Sequence, residues 1–277
     1  MGKRYIQFLA ILLLAVGGFV SARAADDGSR PVEVADAAPQ LSLSANQSVQ
    51  IPTSNALPRL APELALQFVQ KHAEWQTQAL YGYRDDVEVD AQLPDTAQKG
   101  DFRLIREYTS PNALSFTPVE FTGDDFVKHN VITKLLQSEV EHVQKGEAPQ
   151  TALSAQNYKF SYKGTDNLDG HLVHIFQVKP RHKVPGLFKG KIYVDVFTGS
   201  LRRAEGSVVS PSFFIKKIEF VQDYDDVDGF NFPVRMHSTA MTRVIGRAIV
   251  NIFHRNYRPT PASQNAGGAA GGAFALQ

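Results

Sequence analysis

The chain of 277 residues contains no cysteine. That absence excludes disulfides, a thiol nucleophile, thiolate-bound zinc, iron–sulfur clusters and a lipid anchor attached through cysteine. A dominant charge is also missing. The 29 Lys and Arg residues nearly balance 28 Asp and Glu, so no strong field draws the chain toward nucleic acid. No Gly-x-Ser-x-Gly turn presents a strained serine, and no glycine-rich loop opens a helix to cradle a phosphate. What is present is an apolar fraction of 43%, enough for one large domain or two small ones with a sizeable core.

The one long apolar run, Ile6 to Val20, follows Lys3-Arg4 and precedes Ala22-Arg23-Ala24. A charged start, a short apolar stretch and a small-x-small end predict a secretory signal peptide over residues 1–24, cut after Ala24. A spanning helix wants about 20 apolar residues, and Gln7, Gly17 and Gly18 interrupt this run. Losing Lys3, Arg4 and Arg23 with no acid changes the net charge from +1 to −2. Export without cysteine points to the periplasm of a bacterial envelope, because small secreted eukaryotic domains usually rely on disulfides.

Residues 25–59, rich in Ala, Ser, Pro, Asp and Gln, read as a disordered leader, and residues 261–277 as a disordered Gly/Ala tail. Residues 60–260 form one block without an internal repeat. Pro62 suits the start of a helix whose apolar stripe would be Leu64, Phe68, Trp75 and Ala79, with the lone Trp as a core anchor. Tyr83 to Ala91 alternates, with Tyr83, Asp85, Val87, Val89 and Ala91 on one face. Extended runs follow at Phe102–Tyr108 and Leu114–Phe121, around a Ser110-Pro111-Asn112 turn. A second helix is expected over about 124–145, capped by Thr122 or Asp124 and ended by Gly146. Its apolar rows are Val127, Val131, Leu135 and Ile132, Leu136, Val140, Val143.

Beyond the second helix the sequence is nearly all β. Alternation marks Tyr158–Tyr162, Leu172–Val178, Ile192–Val196 and Phe213–Val221, and one long run from His237 to Tyr257 with Val244, Gly246, Ala248, Val250 and Ile252 on its apolar face. Asp169-Gly170 and similar pairs argue for antiparallel hairpins. The fold class expected is α+β, mainly β: a half-open, curved antiparallel sheet or barrel with two helices over its concave face.

Metal and cofactor sites find little support. A calcium loop starting at Asp223 would need a side-chain oxygen and then glycine where Val227 and Asp228 stand, so the acidic stretch reads as a polar turn. His171 and His174 point to opposite faces of a strand, and His174 reads as a hydrogen-bonded, half-buried side chain. No metal, cofactor or catalytic residue is assigned, and the chain is read as a non-enzyme. Lys179-Pro180-Arg181-His182-Lys183, followed by Val184 to Phe188, suits either an anionic lipid surface or a solvated loop with a hydrophobic tuck.

The order Lys179-Pro180, Lys191-Ile192-Tyr193-Val194-Asp195, Thr198-Gly199, Arg203-Ala204-Glu205, Ile218-Glu219-Phe220, Tyr224 and Val227-Asp228-Gly229 with Pro233 resembles the LolA-like superfamily of periplasmic lipoprotein-localisation carriers. It looks closest to their relatives described as outer-membrane lipoprotein-sorting proteins. The resemblance implies a greasy cavity that accepts acyl chains, in a monomer that exchanges cargo with a membrane-protein donor or acceptor. On that reading Tyr158, Phe160, Tyr162, Phe176, Val194, Phe214, Phe220 and Val250 would line the cavity. Leu135 and Leu136 would sit on a lid helix, and Arg181 and Lys183 would meet a headgroup. Gly246 and Ala248 would leave volume for a guest. The lid-latching arginine of the true carriers is matched to no residue here. The alternative from a different class is an envelope sensor or adaptor that uses the same scaffold for protein–protein contact.

Overall fold

A computed structural model describes residues 59–209, 211 and 215–262. The expected signal peptide with its cut after Ala24, the leader through residue 58, the tail from residue 263 and Phe214 lie outside the described residues. Helix α1 (Pro62–Ala79) leads into strands β1 (Leu80–Leu93), β2 (Gln98–Thr109) and β3 (Ala113–Gly123). Helix α2, residues 125–145, joins Asp125–Val127 to Thr133–Lys145 through a wide turn at Lys128–Ile132, and α3 (Ala148–Thr151) is a single turn. Seven strands follow among the described residues: β4 (Tyr158–Leu168), β5 (His171–Pro180), β6 (Phe188–Asp195), β7 (Leu201–Val208), β8 (Ile215–Val227), β9 (Phe230–Thr242) and β10 (Arg247–Pro261).

These strands make one antiparallel sheet in the order β3-β2-β1-β10-β9-β8-β7-β6-β5-β4. The sheet is mainly built of hairpins; Asp169-Gly170 and Asp228-Gly229 turn with positive φ at both residues, the geometry that matches strand twist. Among the described residues, only the β1–β10 pairing joins strands far apart in sequence. The sheet does not close. Its two edges, β3 and β4, are consecutive in sequence, and α2 and α3 connect them.

Laid flat, ten strands would span about 43 Å. Yet Leu104 of β2, Val89 of β1, Ile252 of β10, Phe220 of β8, Ile192 of β6 and Tyr158 of β4 belong to one buried cluster with Leu135 of α2 and Ala65 of α1. The sheet must therefore curl around a shared core, with both helices on its inner side. A smaller cluster of Leu80, Phe230, Phe232 and Tyr257 packs where α1 turns into β1.

Several sequence expectations are corrected. On α1 the buried face is Ala65, Val69, Ala73 and Gln76, whereas Leu64, Phe68 and Trp75 are 48%, 49% and 46% exposed. Small side chains bring the helix close to the sheet, and Gln76 exchanges two hydrogen bonds with the Asn231 backbone, at 2.8 and 3.1 Å. Trp75 stacks on Phe230 at 5.2 Å instead of anchoring the core. The run from His237 to Tyr257 is two strands, because residues 243–246 form a hairpin bend with Val244 in solvent and Gly246 at φ +72°. Gly246 is thus off the apolar face, and a Cβ there would collide with an Asp95 carboxylate oxygen.

Strand β8 continues through Asp223–Val227, so the polar turn shrinks to Asp228-Gly229. Arg203 and Arg235 both hold Asp223, and Arg202 pairs with Asp225. Strand β7 escaped detection because Ala204 and Gly206 supply part of its inner face. Gly206 lies opposite Gly190 at a backbone approach too close for any Cβ. Helix α2 ends at Gly146 as expected, but Asp124 does not cap its start: the Asp124 carboxylate accepts from the Lys99 N–H instead.

Candidate functional site

Helix α2 does not lie flush on the edge of the sheet. Between it and β2–β3 runs a groove of about 680 Å³, within the range typical of small-molecule sites. Its floor is apolar, from Phe102 and Leu104 of β2 and Phe116 and Pro118 of β3. Leu136 and Val140 face it from α2, while Lys128, His129, Thr133, Gln137 and Glu141 supply a polar rim. The floor follows from strand alternation, since even-numbered residues of β2 point inward. Phe116 is only partly covered because β3 is an edge strand, with no further strand paired to its outer side among the described residues.

Beside this groove α2 is fastened by a buried ionic cluster. Arg106 of β2 donates from Nε and Nη2 to the two carboxylate oxygens of Asp85 on β1, at 2.8 and 3.1 Å. Its Nη1 donates to Glu139 of α2 at 3.0 Å, and Nη2 also reaches the Tyr257 hydroxyl at 2.8 Å. That hydroxyl in turn donates to the Pro233 carbonyl at 2.7 Å. The guanidinium lies 5.0 Å from the Tyr83 ring centroid. His254 of β10 sits 2.8 Å from Asp85 through Nδ1.

Burial alone would raise the Asp85 pKa, but the Arg106 charge and the His254 contact bring it below the ordinary carboxylate value. Glu139 goes the other way: burial raises it more than Arg106 lowers it. Burial, with the Arg106 charge added, pushes the His254 imidazole down to about 4. His254 is therefore neutral at pH 7, with its proton on Nδ1 facing the carboxylate. Its Nε2 is buried without a hydrogen-bond partner. The cluster holds α2 to three strands. The tyrosine hydroxyls Tyr83 and Tyr257 stay protonated, since burial raises both.

Two local irregularities build this cluster. Asn256, at φ +55°, sits in a bulge opposite Arg84–Asp86 that turns Tyr257 inward, to the face that His254 already occupies. In α2 the Thr133 N–H reaches back five residues to the Lys128 carbonyl, and this wide turn brings Glu139 and His142 onto the buried face. Sequence reading missed Arg106 and Glu139. One available signal was the alternation itself, which puts Asp85 on the inner face of β1 and Arg106 on that of β2, where the register sets them opposite each other.

Of the residues expected to line a cavity, Tyr158, Phe176, Val194, Phe220 and Val250 are buried in the main core, and Phe160 packs against it. Tyr162 is exposed, with its hydroxyl 3.3 Å from His174 Nδ1. His174 is buried and reaches the Leu60 carbonyl at 2.9 Å. Leu135 is buried, and among the described residues of that set Leu136 is the one bordering the groove. Arg181 donates from Nε to the Ala155 and Tyr158 carbonyls at 2.8 and 3.2 Å; Lys183 is exposed, while Leu187 and Phe188 are fully buried. Leu187 and Phe188 thus tuck into the core instead of lying exposed beside the basic residues. Ala248 is buried on the inner face.

No curated protein matches the chain. A family model described as "Family of unknown function (DUF5686)" matches residues 128–259. Among solved structures, the chain is similar to a DUF1329 family protein from Desulfovibrio piger, at 10% identity and TM-score 0.38, over 71% of this chain and 92% of that one. It is also similar to a putative outer membrane lipoprotein-sorting protein domain from Vibrio parahaemolyticus, at 11% identity and TM-score 0.37, over 72% and 93% of the two chains. A LolA superfamily protein from Nitrosomonas europaea aligns over the same shares, at 8% identity and TM-score 0.35.

Proposed function

We propose that this chain is a non-enzymatic periplasmic carrier or binding protein for lipid or lipoprotein acyl chains. The observation that carries the reading is the groove beneath α2, whose floor is made of the apolar side chains Phe102, Leu104, Phe116 and Pro118. Burying a chain of about 16 carbons at about 0.8 kcal/mol per methylene releases on the order of 13 kcal/mol gross. Lost translational freedom and chain ordering subtract several kcal/mol. The surplus needs no specific polar contact, which fits a sequence without a catalytic motif. A monomer would exchange such cargo with a membrane-protein donor or acceptor.

Native mass spectrometry of protein purified from an envelope fraction tests the reading, together with titration by a fluorescent fatty-acyl probe. Co-purifying lipid, or probe uptake that Val140→Trp blocks by filling the groove, is the expected result. A strictly apo mass and no uptake would overturn it.

A second reading, an envelope adaptor, draws on the exposed stripe of Leu64, Phe68 and Trp75 along α1. Contiguous exposed apolar surface marks interaction sites. Pull-down from envelope extract separates the two, because an adaptor would retain a stoichiometric protein and no lipid.

A further inference from the structure

Lys128 is a cation without an anion. Its Nζ lies 4.7 Å from the Phe121 ring centroid and 5.6 Å from that of Phe102, and among the described residues no carboxylate pairs with it. Of the acids near it in sequence, Glu120 pairs with Arg103 and Asp124 accepts from the Lys99 N–H, while exposed Asp125 makes no ion pair with it. His129, beside it, borders the same end of the groove. At the opposite end stands Glu141, already paired with Lys145 at 3.3 Å. The groove is therefore polarised, cationic at one end and apolar along its length.

Its dimensions suit a single chain. The helix rises about 20 Å between Lys128 and Glu141 at 1.5 Å per residue. A lipid tail crosses about 15 Å, half the hydrocarbon core of a bilayer. Resting on the carrier reading above, we infer that the groove takes a single-chain anionic amphiphile of the fatty-acid class. The carboxylate meets Lys128, with His129 beside it, and the chain runs past Leu136 and Val140 over the Phe102 and Phe116 rings. The two rings under Lys128 hold its ammonium in place and displace part of its hydration, so an incoming carboxylate finds a pre-placed charge.

Binding of hexadecanoate and of hexadecanol to the purified full chain, to Lys128→Gln and to Lys128→Arg at neutral pH tests this. A hydrogen bond to a charged group predicts that wild type prefers the anionic chain by about tenfold or more. Lys128→Gln should erase that preference while keeping its hexadecanol affinity, and Lys128→Arg should retain it. Equal affinities in wild type, or a preference that survives in Lys128→Gln, would overturn the inference and leave the carrier reading standing. Binding of neither chain to wild type would overturn both.

Discussion

Arg106 and Glu139 meet at 3.0 Å inside the curled sheet, and the same guanidinium grips Asp85 with two donors. One arginine thus serves two carboxylates, one from the neighbouring strand and one from the helix that roofs the groove. The second carboxylate is poorly compensated, which is why Glu139 and Asp85 shift in opposite directions although both contact Arg106.

The asymmetry predicts unequal mutants. Arg106→Met leaves two buried carboxylates without a cation and should destabilise the fold by about 3–5 kcal/mol, the usual consequence of breaking a buried pair from one side. Glu139→Gln keeps the shape and an acceptor while removing the less favourable charge, and should cost under about 1 kcal/mol. Urea denaturation at pH 7 measures both. A Glu139→Gln variant as unstable as Arg106→Met would contradict this ranking.

Stability should also depend on pH through His254. Its imidazole sits at about 4 in the fold against an ordinary 6.5, so between those values the unfolded chain takes up a proton that the native one refuses. Its contribution is complete above pH 6.5 and is lost as pH falls toward 4, by about 3 kcal/mol in all. Glu139 opposes this: its raised value means the native state gains a proton first, so its share improves as pH falls toward 4.5. Asp85 acts only lower, below 3.8. Thermal melts from pH 7 to pH 4.5 should show a shallower fall for His254→Asn, which keeps a donor near Nδ1, than for wild type. Parallel curves would remove His254 from the account.

The sole tryptophan gives a direct check on α1. Trp75 is 46% exposed and rests on Phe230, so its native fluorescence should be readily quenched by acrylamide. Trp75→Ala should cost about 1–2 kcal/mol, well short of the roughly 3–5 typical of a buried tryptophan. A blue-shifted, quencher-resistant emission would restore the core-anchor assignment.

The β alternation, the Asp-Gly hairpins and the end of α2 at Gly146 were legible in the sequence because each is a local property of a few neighbouring residues. From them followed the antiparallel class and the inner faces of β1 and β5. Strand β7 was hidden because Ala204 and Gly206 put little apolar side chain on its inner face between Leu201 and Val208. The stripe on α1 was misread because hydrophobicity favours large residues, whereas close helix–sheet contact selected Ala65 and Ala73.

The groove and the ionic cluster are tertiary decisions. A strict period of two along β10 would send Tyr257 outward with Arg255; the bulge at Asn256 reverses that. A uniform helix would give Val140 and Val143 the buried places that the wide turn hands to Glu139 and His142. Residue types and their spacing determined which strands and helices form. Where phase slipped, and therefore which polar groups were buried together and which edge was left open, was settled by curling ten strands around one core.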